Sequence, residues 1–98
     1  MNTTSYPYLS NVEIILNQPI KVLIAGNWPT PSWKITDIQK KIDDNNHIIT
    51  ISIIGESGKG LALQVLKPFS EAVELSTAVD KNWKIIVKGR AGDIIKQI

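Results

Sequence analysis

The sequence predicts an all-β fold, an antiparallel β-sandwich of seven to eight strands in one domain. Three observations carry that expectation. Isoleucine supplies 17 of the 98 residues, and β-branched side chains, stiff at χ1, suit a pleated surface better than a helix. Short runs alternate between the two faces, as successive strand residues do. Clusters of Asn, Asp, Gly and Pro separate those runs at intervals typical of a sandwich.

Taken in order, residues 1–10 read as a flexible lead-in, and residues 11–98 as the single domain. Val12, Ile14 and Leu16 alternate in a first strand. Asn17-Gln18-Pro19 turns the chain, because proline cannot donate to a ladder. Ile20, Val22 and Ile24 form a second strand that ends at Gly26-Asn27. The segment Trp28-Pro29-Thr30-Pro31-Ser32-Trp33 follows, stiffened by prolines that push their predecessors toward extended conformations. Beyond it, Ile35, Ile38 and Ile42 recur at three and four residues. That spacing fits a short helix capped by Thr36-Asp37, or a strand with one bulge. The flanking β segments favour the strand. Asp43-Asp44-Asn45-Asn46 is a hairpin connection. His47 to Ile54 is the clearest strand, with Ile49, Ile51 and Ile53 on one face, and Gly55–Gly60 reads as a mobile loop. Leu61–Leu66 fits a short strand or a loop plugging the end of the sandwich. Val73–Val79 is a further strand. Asn82–Gly89 follows the turn Asp80-Lys81-Asn82 and carries Trp83, Ile85 and Val87 on its core face, so it reads as the central strand. Asp93–Ile98 closes the chain as an edge strand.

Composition narrows the function classes. The hydrophobic fraction of 43% and charged fraction of 20% are globular values. A net charge of +2, with lysines scattered singly apart from Lys40-Lys41 and Arg90 the only arginine, argues against a nucleic-acid partner. The absence of cysteine excludes disulfides and thiolate metal sites. No apolar run approaches the ~20 residues of a membrane helix, so membrane insertion is not expected. The polar start Met1–Ser5 lacks a signal-peptide pattern, and the compartment is left open.

Few residues here suit catalysis. Gly55–Gly60 fails as a phosphate-binding loop, because Ile53 stands where its first glycine belongs and Gly60 where a hydroxyl must follow the lysine. Asp43, Asp44 and His47 lie close in sequence, but side chains in an Asx-rich turn point apart and no second cluster completes a metal shell. His47 is the lone imidazole, with no cysteine nucleophile for it to serve. Neither an enzyme nor a cofactor is expected. Trp28 and Trp33 are the strongest binding candidates: tryptophan offers large contact area with few rotors, and neighbouring prolines lower the ordering cost. The expected binding set is Asn27, Trp28, Pro29, Thr30, Pro31 and Trp33.

The turn before Trp83, the pattern Trp83-x-Ile85-x-Val87-x-Gly89 and the final strand resemble the end of immunoglobulin-like and fibronectin type III-like domains. The run Val12–Leu16, Ile20–Ile24 and Trp33–Ile42 resembles their first three strands. That resemblance implies a sandwich and leaves function open, since such folds host many roles. The family's corner tyrosine is replaced by Trp83, which has no hydroxyl to bond across the turn. A second likeness links Asn27, Pro29, Thr30 and Trp33 to the inhibitory loop of chagasin-type cysteine protease inhibitors. Trp28 is then an insertion, and that family's Arg-Pro-Trp loop is missing. The expected function is an interaction module that binds an unknown protein partner through its end loops. An inhibitor, or a carbohydrate-binding module using Trp28, is the alternative. Ile94, Lys96 and Ile98 at the last edge also raise edge-strand dimerisation.

Overall fold

Eight strands make up the computed structural model, which describes residues 3–16, 19–58, 65–75 and 82–98. They are β1 (Thr3–Ser5), β2 (Tyr8–Ile15), β3 (Ile20–Trp28), β4 (Trp33–Asp43), β5 (Ile48–Ser57), β6 (Lys67–Leu75), β7 (Lys84–Val87) and β8 (Ile94–Gln97). β2, β3 and β6 form a three-stranded antiparallel sheet. β1, β4, β5, β7 and β8 form the other. Side chains from both sheets meet in one core that includes Val22, Ile24, Ile49, Ile51, Ile53, Ile85 and Val87, all essentially without solvent exposure. The three isoleucines of β5 face inward together, as two-residue periodicity requires.

The sheets depart from the expected sandwich in one pairing. β5 and β7 run parallel, with Ile48 opposite Lys84 and Ile51 opposite Val87, so this sheet is mixed. An immunoglobulin-like arrangement places the strand after the first crossover beside the penultimate strand. Here that strand, β4, lies on the far side of β5, and β5 itself flanks β7. The central strand is therefore β5. β4 pairs along one of its edges, while β1 and β7 share the other, at Gly55–Ser57 and Ile48–Ile51 respectively. Of the expected Asn82–Gly89 strand, only Lys84–Val87 forms β7, an inner strand between β5 and β8.

Local chemistry explains where the strands extend past their expected ends. Residues 3–10, expected as part of a flexible lead-in, hold β1 and the start of β2; Thr4 faces Glu56 and Tyr8 faces Asn27. β3 continues through Gly26 because a Cβ there would collide with the Tyr8 carbonyl oxygen of the neighbouring strand. β5 continues through Gly55 because the Trp28 ring fills the space of its missing side chain. Gly55 is a strand residue, not part of a mobile loop. β6 begins at Lys67 and tolerates Pro68 because it is an edge strand, where a missing N–H is harmless. The turns at 17–18 and 80–81, the loop at 59–60, most of the 61–66 segment and the 76–79 end of the expected Val73–Val79 strand lie outside the described residues.

The spacing of Ile35, Ile38 and Ile42 is a bulge. The β4–β5 register slips between Ile35 and Asp37, so Ile35 faces Gly55 and Ile38 faces Ile53. Thr36, the one extra residue, bulges out of the pairing, so both isoleucines stay against the core, and its hydroxyl donates to Ile54 O at 3.3 Å. The free edges of β4 and β6 are linked by two lysines. Lys67 Nζ donates to Trp33 O, and Lys40 Nζ to Glu74 O, both at 3.0 Å. The molecule measures 45 × 22 × 21 Å, with a radius of gyration of 14.4 Å. A compact chain of this length has about 13 Å, so the sandwich is elongated along its strands.

Candidate functional site

The candidate site is the end of the sandwich where β3 passes to β4. β3 buries alternate residues from Ile20 to Trp28, and that register turns Trp28 inward. β4 starts with Trp33 on its core face. The two indoles stack at 5.4 Å between centroids and 4° between planes. Phe69 of β6 packs on Trp28 at 5.8 Å. Trp28 and Trp33 are only 1% and 6% exposed. The rings that sequence singled out for contact with a partner are thus the floor of the loop. A sugar cannot stack on a ring enclosed on both faces, so the exposed platform expected of Trp28 is absent from this conformation.

The surface above that floor is Pro29-Thr30-Pro31-Ser32. Pro31 is exposed, and Pro29, Thr30 and Ser32 are half-buried. Trp33 N–H donates to Thr30 O at 3.4 Å, and the Thr30 and Ser32 hydroxyls meet at 2.8 Å. Gly58 N–H donates to Ser32 O at 3.3 Å, tying the loop to the end of β5. Asn27 is half-buried within β3, opposite Tyr8 and Pro68.

Arg90, Tyr6, Tyr8 and Lys67 also belong to this end, and the sequence did not reveal them. The Arg90 N–H donates to Pro7 O at 2.8 Å, and its Nε to Tyr6 O at 3.2 Å. Its guanidinium lies 4.8 Å from the Trp33 ring centroid and 5.6 Å from that of Tyr8, within cation–π range. Nη2 is enclosed and has no hydrogen-bond partner among the described residues. The only available signal was that Arg90 is the one arginine of the chain. Nothing local connects it to Trp33.

The acidic turn lies at the opposite end. Asp43 accepts from Asn46 Nδ2 at 2.8 Å and from the Asn46 and Asn45 N–H groups at 3.2 and 3.1 Å. The Asn46 amide and these backbone donors hold the Asp43 carboxyl below its ordinary value. His47 takes a positive φ of 56° and stacks on Trp83 at 4.9 Å between centroids. Asp43 turns to the asparagines and His47 to Trp83, and no three His, Asp or Glu side chains converge among the described residues. Trp83, 7% exposed, closes its corner by this stacking, and its carbonyl accepts from Ile98 N–H and Gln97 Nε2 at 3.0 and 2.9 Å.

A shallow hollow of about 680 Å³ on the outer face of the mixed sheet is lined by Gln39, Lys40, Lys41, Thr50, Ser52 and Lys88. Lys88 is held there by Asp93 at 3.2 Å. The Gly89 N–H, and secondarily Lys88, lower the Asp93 carboxyl. No protein-family model, curated protein or solved structure matches this chain.

Proposed function

We propose that this chain is a non-catalytic interaction module of immunoglobulin-like kind that binds a protein partner through the loops at its Trp33 end. The observation carrying this reading is the Pro29–Ser32 loop, which presents Pro31 to solvent from a floor of stacked indoles. A loop braced by two prolines, a hydroxyl pair and a hydrogen bond to Gly58 loses little freedom on binding. The three-stranded β2-β3-β6 sheet and the β7–β8 hairpin support the immunoglobulin-like comparison, and the parallel β5–β7 pairing marks the departure from it.

Site-directed photo-crosslinking tests the reading. A photoreactive phenylalanine analogue is placed at position 31, and, as a control, at exposed Asn45 of the opposite end. The expected result is a discrete adduct from position 31 that excess unmodified protein competes away, with none from position 45. Equal adducts from both ends, or adducts only from position 45, overturn the assignment of the binding end.

A further inference from the structure

Arg90 and Lys67 are the two cations placed beside Trp33, and neither is paired with a carboxylate among the described residues. Lys67 Nζ rests on a main-chain carbonyl, that of Trp33. Among the described residues, Arg90 has one side-chain hydrogen bond, Nε to Tyr6 O, two neighbouring aromatic rings, and an enclosed Nη2 without a partner. Enclosed polar groups in folded proteins are satisfied as a rule, and an orphan signals a missing partner. A guanidinium is planar, presents its N–H groups as a fork, and matches a carboxylate with two parallel bonds.

The surroundings repel no anion. The sequence contains no Asp or Glu from Ile14 to Thr36, a span that includes all of β3, the Pro29–Ser32 loop and the start of β4. The connection between β1 and β2, Tyr6-Pro7, is also uncharged. In the β7–β8 connection the one acid, Asp93, is already engaged by Lys88 Nζ and Gly89 N–H. Glu56 lies near this end on β5 but pairs across to Thr4 and Lys34, on the opposite face from Trp33. The other end of the molecule carries Asp43 and Asp44 in its hairpin turn.

We infer that the Trp33 end recognises an acidic peptide segment of its partner, with Arg90 and Lys67 as the carboxylate-binding pair. This inference rests on the proposed binding end and adds the chemistry of what binds there. Trp33 and Tyr8 lie beside the guanidinium, and the incoming carboxylate supplies the partner that Nη2 lacks among the described residues, displacing part of its cover as it docks.

An NMR titration of the full chain with octaglutamate, and with octalysine as the opposite-charge control, tests it. The expected result is saturable shifts of Arg90 Nε–H, the Trp33 indole N–H and the Lys67 amide with octaglutamate alone. Binding weakens as salt rises from about 50 to about 500 mM, because the screening length shortens. Arg90→Gln and Lys67→Gln each weaken binding about tenfold. Lys67→Gln keeps the test valid if loss of the Arg90 contacts disturbs the fold, which the amide spectrum reports. Absence of saturable shifts, shifts spread evenly over Lys34, Lys41 and Lys84, or affinity unchanged in a folded variant overturns the inference. A crosslinked partner at position 31 together with no octaglutamate binding leaves the binding end standing and removes only its acidic specificity.

Discussion

At the scale of single residues, Trp83 and Asp43 anchor the lower end of the sandwich. Trp83 is buried, stacked by His47, and joined through its carbonyl to β8. Truncating a core aromatic leaves both a transfer loss and a cavity. Trp83→Ala is expected to cost about 3–5 kcal/mol in urea denaturation, and a loss below about 1 kcal/mol is incompatible with this packing. Asp43 sets an acid dependence. Its folded-state carboxyl is lowered by the Asn46 and Asn45 donors, so the folded state prefers the ionised form. That contribution is complete above the unfolded-state value and disappears as pH falls through the folded one. Between neutral pH and about pH 2, Asp43→Asn is expected to lose less stability than the parent protein when denaturation midpoints are compared. The inward faces of β5 and β7 were legible at this scale, since alternation alone points Ile49, Ile51, Ile53, Ile85 and Val87 to the core. The burial of Trp28 was not, because it depends on Gly55 leaving space in a different sheet.

At the scale of elements, the bulge in β4 explains how one strand serves two registers. If Thr36 were fitted into a regular ladder instead of bulging out, Trp33 and Ile35 would fall on the opposite face from Ile38 and Ile42. Deleting Thr36 removes the extra residue and leaves the β5 partners on both sides unchanged. Its denaturation midpoint, like that of Thr36→Ser, is therefore expected to stay close to the parent's. Deleting Thr36 and Asp37 together reverses one segment and is expected to cost more than about 3 kcal/mol. The irregular isoleucine spacing was visible in the sequence, and the neighbouring strands favoured a bulge over a helix. Edge protection differs among the strands. β4 carries Lys34, Asp37, Lys40 and Lys41, and β6 carries Pro68, features that discourage pairing with another chain. β8 has Lys96 as its one charge and leaves Ile95 61% exposed. Edge pairing between copies is therefore a proposal for β8. Sedimentation is expected to show weak association at high protein concentration that Ile95→Lys abolishes, and a strict monomer removes the idea.

At the scale of the whole molecule, folding must join distant segments. β3 with β6, β5 with β7, and β1 with β5 all pair residues far apart in the chain. Such topologies fold in about milliseconds to seconds, and stopped-flow tryptophan fluorescence is expected to show its main refolding phase in that range. The seam between β4 and β6 depends on Lys40 and Lys67 reaching across to carbonyls, a link that neither strand specifies alone.

The sequence by itself determined that the chain is all-β, where most of its strands lie, and that Ile49, Ile51, Ile53, Ile85 and Val87 share the inward faces of theirs. Those properties follow from β-branched composition, alternation and turn chemistry, all expressed within a few residues. It did not mark Thr3–Ser5, Gly55–Ser57 or residues 67–72 as strand. Only the tertiary structure decided the neighbours. Any strand edge offers the same backbone donors and acceptors, so nothing in Ile48–Ser57 or Lys84–Val87 declares that they pair in parallel. The same holds for Arg90 over Trp33. Their contact arises because β1, β4 and the β7–β8 connection meet at one end of β5, and the chemistry of that end exists only once they do.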